Sequence, residues 1–141
     1  MNRVVISVRI SHPKWDHAAI TKLLNCEPDI SRTVGEDRKT PTGQKLKGTN
    51  PNTYWCKDLS YEGDSLSDAI EKGLRLFDPI PGAVAKIRQD GGNVEFFVGW
   101  FFDANGGDIL PSPIMRRLAD HGIDLSFDVY GPEVRMVTGR P

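Results

Sequence analysis

The stretch Val94-Glu95-Phe96-Phe97-Val98-Gly99-Trp100-Phe101-Phe102 decides the fold class of this chain. It is rich in aromatic and β-branched side chains and ends at a glycine-rich turn, which favours a strand over a helix. With a period of two, Val94, Phe96, Val98, Trp100 and Phe102 share one face, and Glu95, Phe97, Gly99 and Phe101 share the other. Both faces are largely apolar, which predicts a central strand.

Two further strands read outward from it. Val4, Ile6, Val8 and Ile10 alternate against Arg3, Val5, Ser7 and Arg9, while Ile123, Leu125, Phe127 and Val129 alternate against Asp124, Ser126, Asp128 and Tyr130. Thr53 to Leu59 resumes β character after a long gap. Ala104-Asn105-Gly106-Gly107 carries the chemistry of a tight hairpin, with Asp108 to Leu110 as a short returning strand.

Helices fill the intervals. Asp16 is placed to cap the first, with Trp15 before it and Ile20 within it at the spacing of a hydrophobic staple. Ser65 caps a second, whose Leu66, Ala69, Ile70, Gly73, Leu74 and Phe77 keep helical spacing until Pro79. Pro81 opens a shorter third, which stops at Gly91-Gly92, and Ser112-Pro113 open a fourth that closes at Gly122. Residues 31–52 lose all periodicity, are punctuated by Gly and Pro, and carry five cations from Arg32 to Lys47. They are expected to form a long, mobile, basic loop. Residues 1–131 then make one domain, and 132–141 a loose tail.

Strand, loop, helix and extended segment recur around Ile20–Ser31 and around Ile114–Ser126. Duplication and shared turn chemistry explain this echo equally well. The expected fold is α+β: an antiparallel or mixed sheet with helices packed on one face, ferredoxin-like with extra elements.

Composition bounds function. The 141 residues carry a net charge of −1, with 38% hydrophobic and 26% charged residues, an ordinary globular balance. That charge gives no global attraction to nucleic acid or to an anionic membrane. The start of the chain is interrupted by Ser7 and Arg9 before it reaches the length of a signal sequence, and no run is long enough to span a bilayer. A cytoplasmic protein is expected. Two cysteines, Cys26 and Cys56, suggest reduced apolar residues and no disulfide scaffold.

Taken together, VRISHPKWDHAAITKLLNCEPDISRTVGE, the TYW strand and ILPSPIMRRLADHGIDLSFDVYG resemble the bacterial domain-of-unknown-function family numbered 4279. The resemblance runs from Val4 to Gly131. It is carried by Ile20, Leu23-Leu24, Glu27-Pro28-Asp29, Gly35-Glu36, Trp55, Leu118 and the closing Leu125 to Tyr130. Trp15 and Cys26 depart from it, standing where such proteins often have an aliphatic residue and a glycine. The resemblance implies no established activity, cofactor or catalytic residue.

Candidate chemistry is sparse. His12, Asp16 and His17 invite a metal, but the two histidines lack the i, i+4 spacing that places ligands on one helical face. Cys26 or Cys56 with His12 or His121 would need an electropositive setting that nothing near Cys26 supplies. The Gly-Gly pairs precede no phosphate-loop pattern, and the basic loop lacks interleaved aromatics for single strands. No cofactor, metal or catalytic residue is assigned. What stands out is the mixed face of the three alternating strands. If they are neighbours, Arg9, Glu95, Phe97, Phe101, Asp124, Asp128 and Tyr130 line up as an interaction surface. The competing reading is a solvated face whose charges pair across strands. A non-catalytic binding module, with a protein partner or a second copy, is the expected function. A small hydrolase using the carboxylates of that face is the alternative.

Overall fold

In a computed structural model that describes residues 2–132, the chain forms seven strands and four helices. These are β1 (Arg3–His12), α1 (His17–Leu24), β2 (Ile30–Arg32), β3 (Asp37–Lys39), β4 (Lys45–Thr49), β5 (Thr53–Asp58), α2 (Leu66–Phe77), α3 (Ala83–Gln89), β6 (Asn93–Phe101), α4 (Ser112–His121) and β7 (Asp124–Tyr130). The first strand in sequence is the middle of the sheet, whose order is β2-β5-β1-β6-β7. β1 runs antiparallel to both β5 and β6, β2 antiparallel to β5, and β7 parallel to β6.

One face of this mixed sheet carries the core. Val4, Ile6, Val8 and Ile10 of β1, Trp55 of β5 and Val94, Phe96 and Val98 of β6 are buried against Ile20 and Leu24 of α1, Ile70, Leu74 and Phe77 of α2, Val84 and Ile87 of α3, and Leu118 of α4. Period-two alternation on one side and helical stripes on the other meet in one apolar layer. The expected α+β class with helices on one face holds. Gly73 lets α2 sit close: a Cβ there would stand 2.7 Å from the Phe96 ring.

The caps follow the sequence where a side chain can reach a free amide. Asp16 accepts from Ala19 N at 2.8 Å and Ser65 from Asp68 N at 3.2 Å, while Gly122 closes α4 at φ +83°. Ser112 does not cap α4; Pro111 holds that position and makes no side-chain bond. Trp15 is half-buried rather than sealed. Its ring stacks on His12 with centroids 4.7 Å apart, and its Nε1 donates to Asp90 at 3.0 Å.

Two further expectations are corrected. Asp108 to Leu110 form no returning strand. Instead the Asp108 carboxylate accepts from Leu66 N at 2.8 Å and Ile109 N at 2.7 Å, so a loop 42 residues away satisfies the first turn of α2. The segment 31–52 is not without structure. β2 extends into it, and β3 and β4 pair as a separate antiparallel hairpin whose residues are all exposed. Lacking a buried side, it shows no apolar alternation. The echo is local: β1 and β2 are separated by β5, whereas β6 and β7 are direct neighbours. The tail was read over 132–141, of which 133–141 lie outside the described residues.

Candidate interaction surface

The register assembles the second face of the sheet row by row. Opposed residues point to the same side, so Cys56, Arg9, Glu95 and Asp124 form one row across β5, β1, β6 and β7. Asp58, Ser7, Phe97 and Ser126 form the next; Val5, Gly99 and Asp128 follow, then Arg3, Phe101 and Tyr130. Every residue proposed from sequence for this surface is therefore on it. The helix-side core holds none of them.

The aromatic rings of this face are covered by guanidinium groups. Arg9 lies over Phe97 at 3.6 Å from the ring centroid, Arg3 over Phe101 at 4.5 Å, and Arg32 over Tyr54 at 4.7 Å. Phe101 also stacks on Tyr130, with centroids 4.6 Å apart and planes 7° apart. Rings and cations standing on adjacent strands meet edge to edge across the pleat, and each such pair adds roughly 0.5–1 kcal/mol where exposed. Arg32 and Tyr54 were missed from sequence, and Arg3, read there onto this face, was not counted in the surface. The parity of β5 pointed to Tyr54, but a three-residue β2 shows no parity to read.

Two buried polar atoms on this face lack a partner, Arg9 Nε and Ser126 Oγ. They flank Phe97, because Arg9 covers its ring and Ser126 is its register partner on β7. A buried polar group without a partner costs about 1–3 kcal/mol. Tyr54 is held above the ordinary phenol range by burial first and by its bond to Cys56 next, with Arg9 and Arg32 pulling the other way. The Tyr130 hydroxyl is also raised, because it donates to the Asp128 carboxylate.

Asp124 and Asp128 do not form a hydrolytic pair with each other. Asp124 and Asp128 are four residues apart on one strand, roughly 13 Å along it, too far to act on one bond. Asp124 pairs with Arg88 at 3.2 Å, and Asp128 accepts from Tyr130.

The other candidates disperse. His12 is fully buried on the helix side, where its Nδ1 accepts from Lys14 N at 3.0 Å and Trp15 N at 2.9 Å. Burial holds its imidazole below the ordinary value, against a smaller upward pull from Asp90. His17 Nδ1 is 2.6 Å from Thr33 Oγ1, and Asp16 is committed as the cap of α1. Among the described residues no group of three or more His, Cys, Asp or Glu could hold a metal ion. Both cysteines are free thiols; Cys56 faces Arg9 on the open side, away from His12. His121 joins Asp78 at 2.9 Å, and Arg117 bonds both Asp78 and Glu71, a clasp between α2 and α4 that sequence reading did not find. Asp78 is held below the ordinary carboxylate value by the His121 bond first and by Arg117 next. The basic segment spends two of its cations internally: Arg38 donates to Lys47 O, and Lys45 pairs with Asp37. It borders a groove of about 990 Å³ that both acidic and basic side chains line. No helix among the described residues is long and apolar enough to cross a membrane.

The family model described as a domain of unknown function, DUF4279, matches residues 2–132. The chain belongs to that family. The match spans all the elements of the DUF4279 sheet, including β7 and the face it completes. No curated protein and no solved structure matches the chain.

Proposed function

We propose that this DUF4279 domain is a non-catalytic binding module that presents the open sheet face to a protein partner. The single observation behind this reading is the set of three guanidinium–aromatic stacks aligned on a face that no described helix packs against. Arginine and aromatic side chains are the residues that most often dominate interface energy. Here they are held in fixed pairs, so little side-chain freedom remains to be lost on binding. Phe97 and Phe101 are the apolar anchors, and Arg9, Glu95, Asp124, Asp128 and Tyr130 set register around them. The scaffold is read as ferredoxin-like with additions. In support, β1-α1-β2 skips over β5 and β5-α2-α3-β6 skips over β1, the interleaved crossovers of that plan, with the hairpin and α4-β7 added. A cytoplasmic setting is in keeping with two free thiols.

The test uses immobilised wild type, Phe101→Glu and Phe101→Ala, each checked for a native circular dichroism spectrum. Proteins retained from a lysate of the source organism should be lost with Phe101→Glu and weakened with Phe101→Ala. Asp124→Asn and Asp128→Asn should keep retention. Retention that survives both Phe101 substitutions overturns the reading, and a hydrolase activity abolished by either Asn variant would replace it.

A further inference from the structure

We infer that the occupant of this face is a second copy of the chain, docked sheet to sheet about a twofold axis parallel to the strands. The inference rests on the binding reading above and names its partner. Its basis is the division of charge across the face. The β2-β5-β1 side carries Arg32, Arg9 and Arg3 against the single acid Asp58, whereas the β6-β7 side carries Glu95, Asp124 and Asp128. In an isologous pair each surface meets itself. A twofold axis across the strands would lay cationic half on cationic half. An axis along them, between β1 and β6, lays β1 and β5 of each copy on β6 and β7 of the other, with β2 overhanging, and sets Arg9 opposite Glu95 of the copy.

The same axis places apolar groups at the centre and charges at the rim, the usual anatomy of an interface. Val5, Phe97 and Phe101 stand on the two strands beside it, and Val5 is 36% exposed. Gly99 is the register partner of Val5 and is covered by it: a Cβ on Gly99 would stand 2.7 Å from Val5 Cγ2 and 3.3 Å from Phe101 Cε2, so Val5, Phe97 and Phe101 form one continuous apolar strip. Across this axis the apolar strip of each copy lies on that of the other. Extent also fits. Five strands about 4.8 Å apart, from three to ten residues long at about 3.3 Å each, project on the order of 600 Å². A specific dimer buries roughly 800 Å² of accessible surface per partner.

The experiment is sedimentation equilibrium of three proteins, with unfolding curves to show that each is native. Wild type should dimerise. Arg3→Glu combined with Arg9→Glu makes the part of the face on β5, β1, β6 and β7 acidic throughout, and Glu95→Lys combined with Asp128→Lys makes it mainly basic, with Asp58 and Asp124 retained. Each variant alone should dimerise about a hundredfold more weakly. An equimolar mixture of the two should restore a dimer containing one of each. A monomeric wild type at millimolar concentration overturns the second-copy inference, while the binding reading is still decided by retention on Phe101→Glu. A wild-type dimer unaffected by both charge variants also overturns it, and Val129→Lys would then test association through the free edge of β7, where Phe127 and Val129 are exposed.

Discussion

Replacing Gly73 with alanine puts two ordinary rules in opposition. Alanine is favoured over glycine in a helix interior by about 1 kcal/mol, so on propensity alone Gly73→Ala stabilises. The added Cβ, however, meets Cε2 and Cζ of Phe96 at 2.7 Å. Carbon atoms prefer about 3.5–4.0 Å, so the overlap is close to 1 Å. The ring cannot yield easily, since Phe96 is fully buried and packs against Phe77 at 5.9 Å between centroids. Overpacking a rigid core site costs about 1–3 kcal/mol, and this site belongs at the upper end. The net expectation is destabilisation by about 2 kcal/mol, a fall in Tm of roughly 8 °C for a chain of this size. Urea unfolding should show a lower midpoint at unchanged slope. Phe96→Leu in the same chain should recover part of the loss, with a coupling energy of about 1 kcal/mol. A Gly73→Ala protein as stable as wild type would show that α2 is not pressed against β6 as described.

Trp15→Ala should cost about 1.5–3 kcal/mol, below the roughly 3–5 of a sealed aromatic, because the ring is half-buried and loses its His12 stack and Asp90 bond; a loss under about 0.5 kcal/mol in urea would refute that role. His12 gives a pH dependence of known sign. Its imidazole is held below the ordinary value of 6.5, so as pH falls the unfolded chain takes a proton that the folded chain refuses. Its stabilising contribution is complete above that value and is lost as pH falls through and below it. Unfolding free energies at pH 7 and pH 5 should differ more for wild type than for His12→Asn, whose carbonyl can accept the same amides without titrating; equal differences would refute the assignment.

The open face was legible in sequence because period-two alternation sorts Arg9, Phe97 and Phe101 from Val8, Phe96 and Val98 without any knowledge of pairing. Strand order was not, since it depends on which edges meet: nothing in Ile123–Tyr130 announces a parallel neighbour. The β3-β4 hairpin escaped because it buries neither side, and Arg32 because three residues hold no pattern. Asp108 read as turn chemistry, yet its partner amide at Leu66 is distant in sequence. His12 read as a metal candidate, when a ring nitrogen accepting two following amides makes it the organiser of the turn into α1.

The central place of β1 has a consequence for synthesis. Its first partner in order of emergence is β5, beginning at Thr53, and its last register pair, Arg3 with Phe101, waits for a residue about 98 positions downstream. At roughly 5–20 residues per second that delay is about 5–20 s. Until then Val4, Ile6, Val8 and Ile10 lack the complete sheet, an extended apolar ribbon of the kind that aggregates when left exposed. Arg3 and Arg9 interrupt that ribbon with charge. The guanidiniums that later cover Phe101 and Phe97 therefore serve first as gatekeepers on the nascent chain, and their removal would lower the yield of soluble protein before it altered anything in the finished fold.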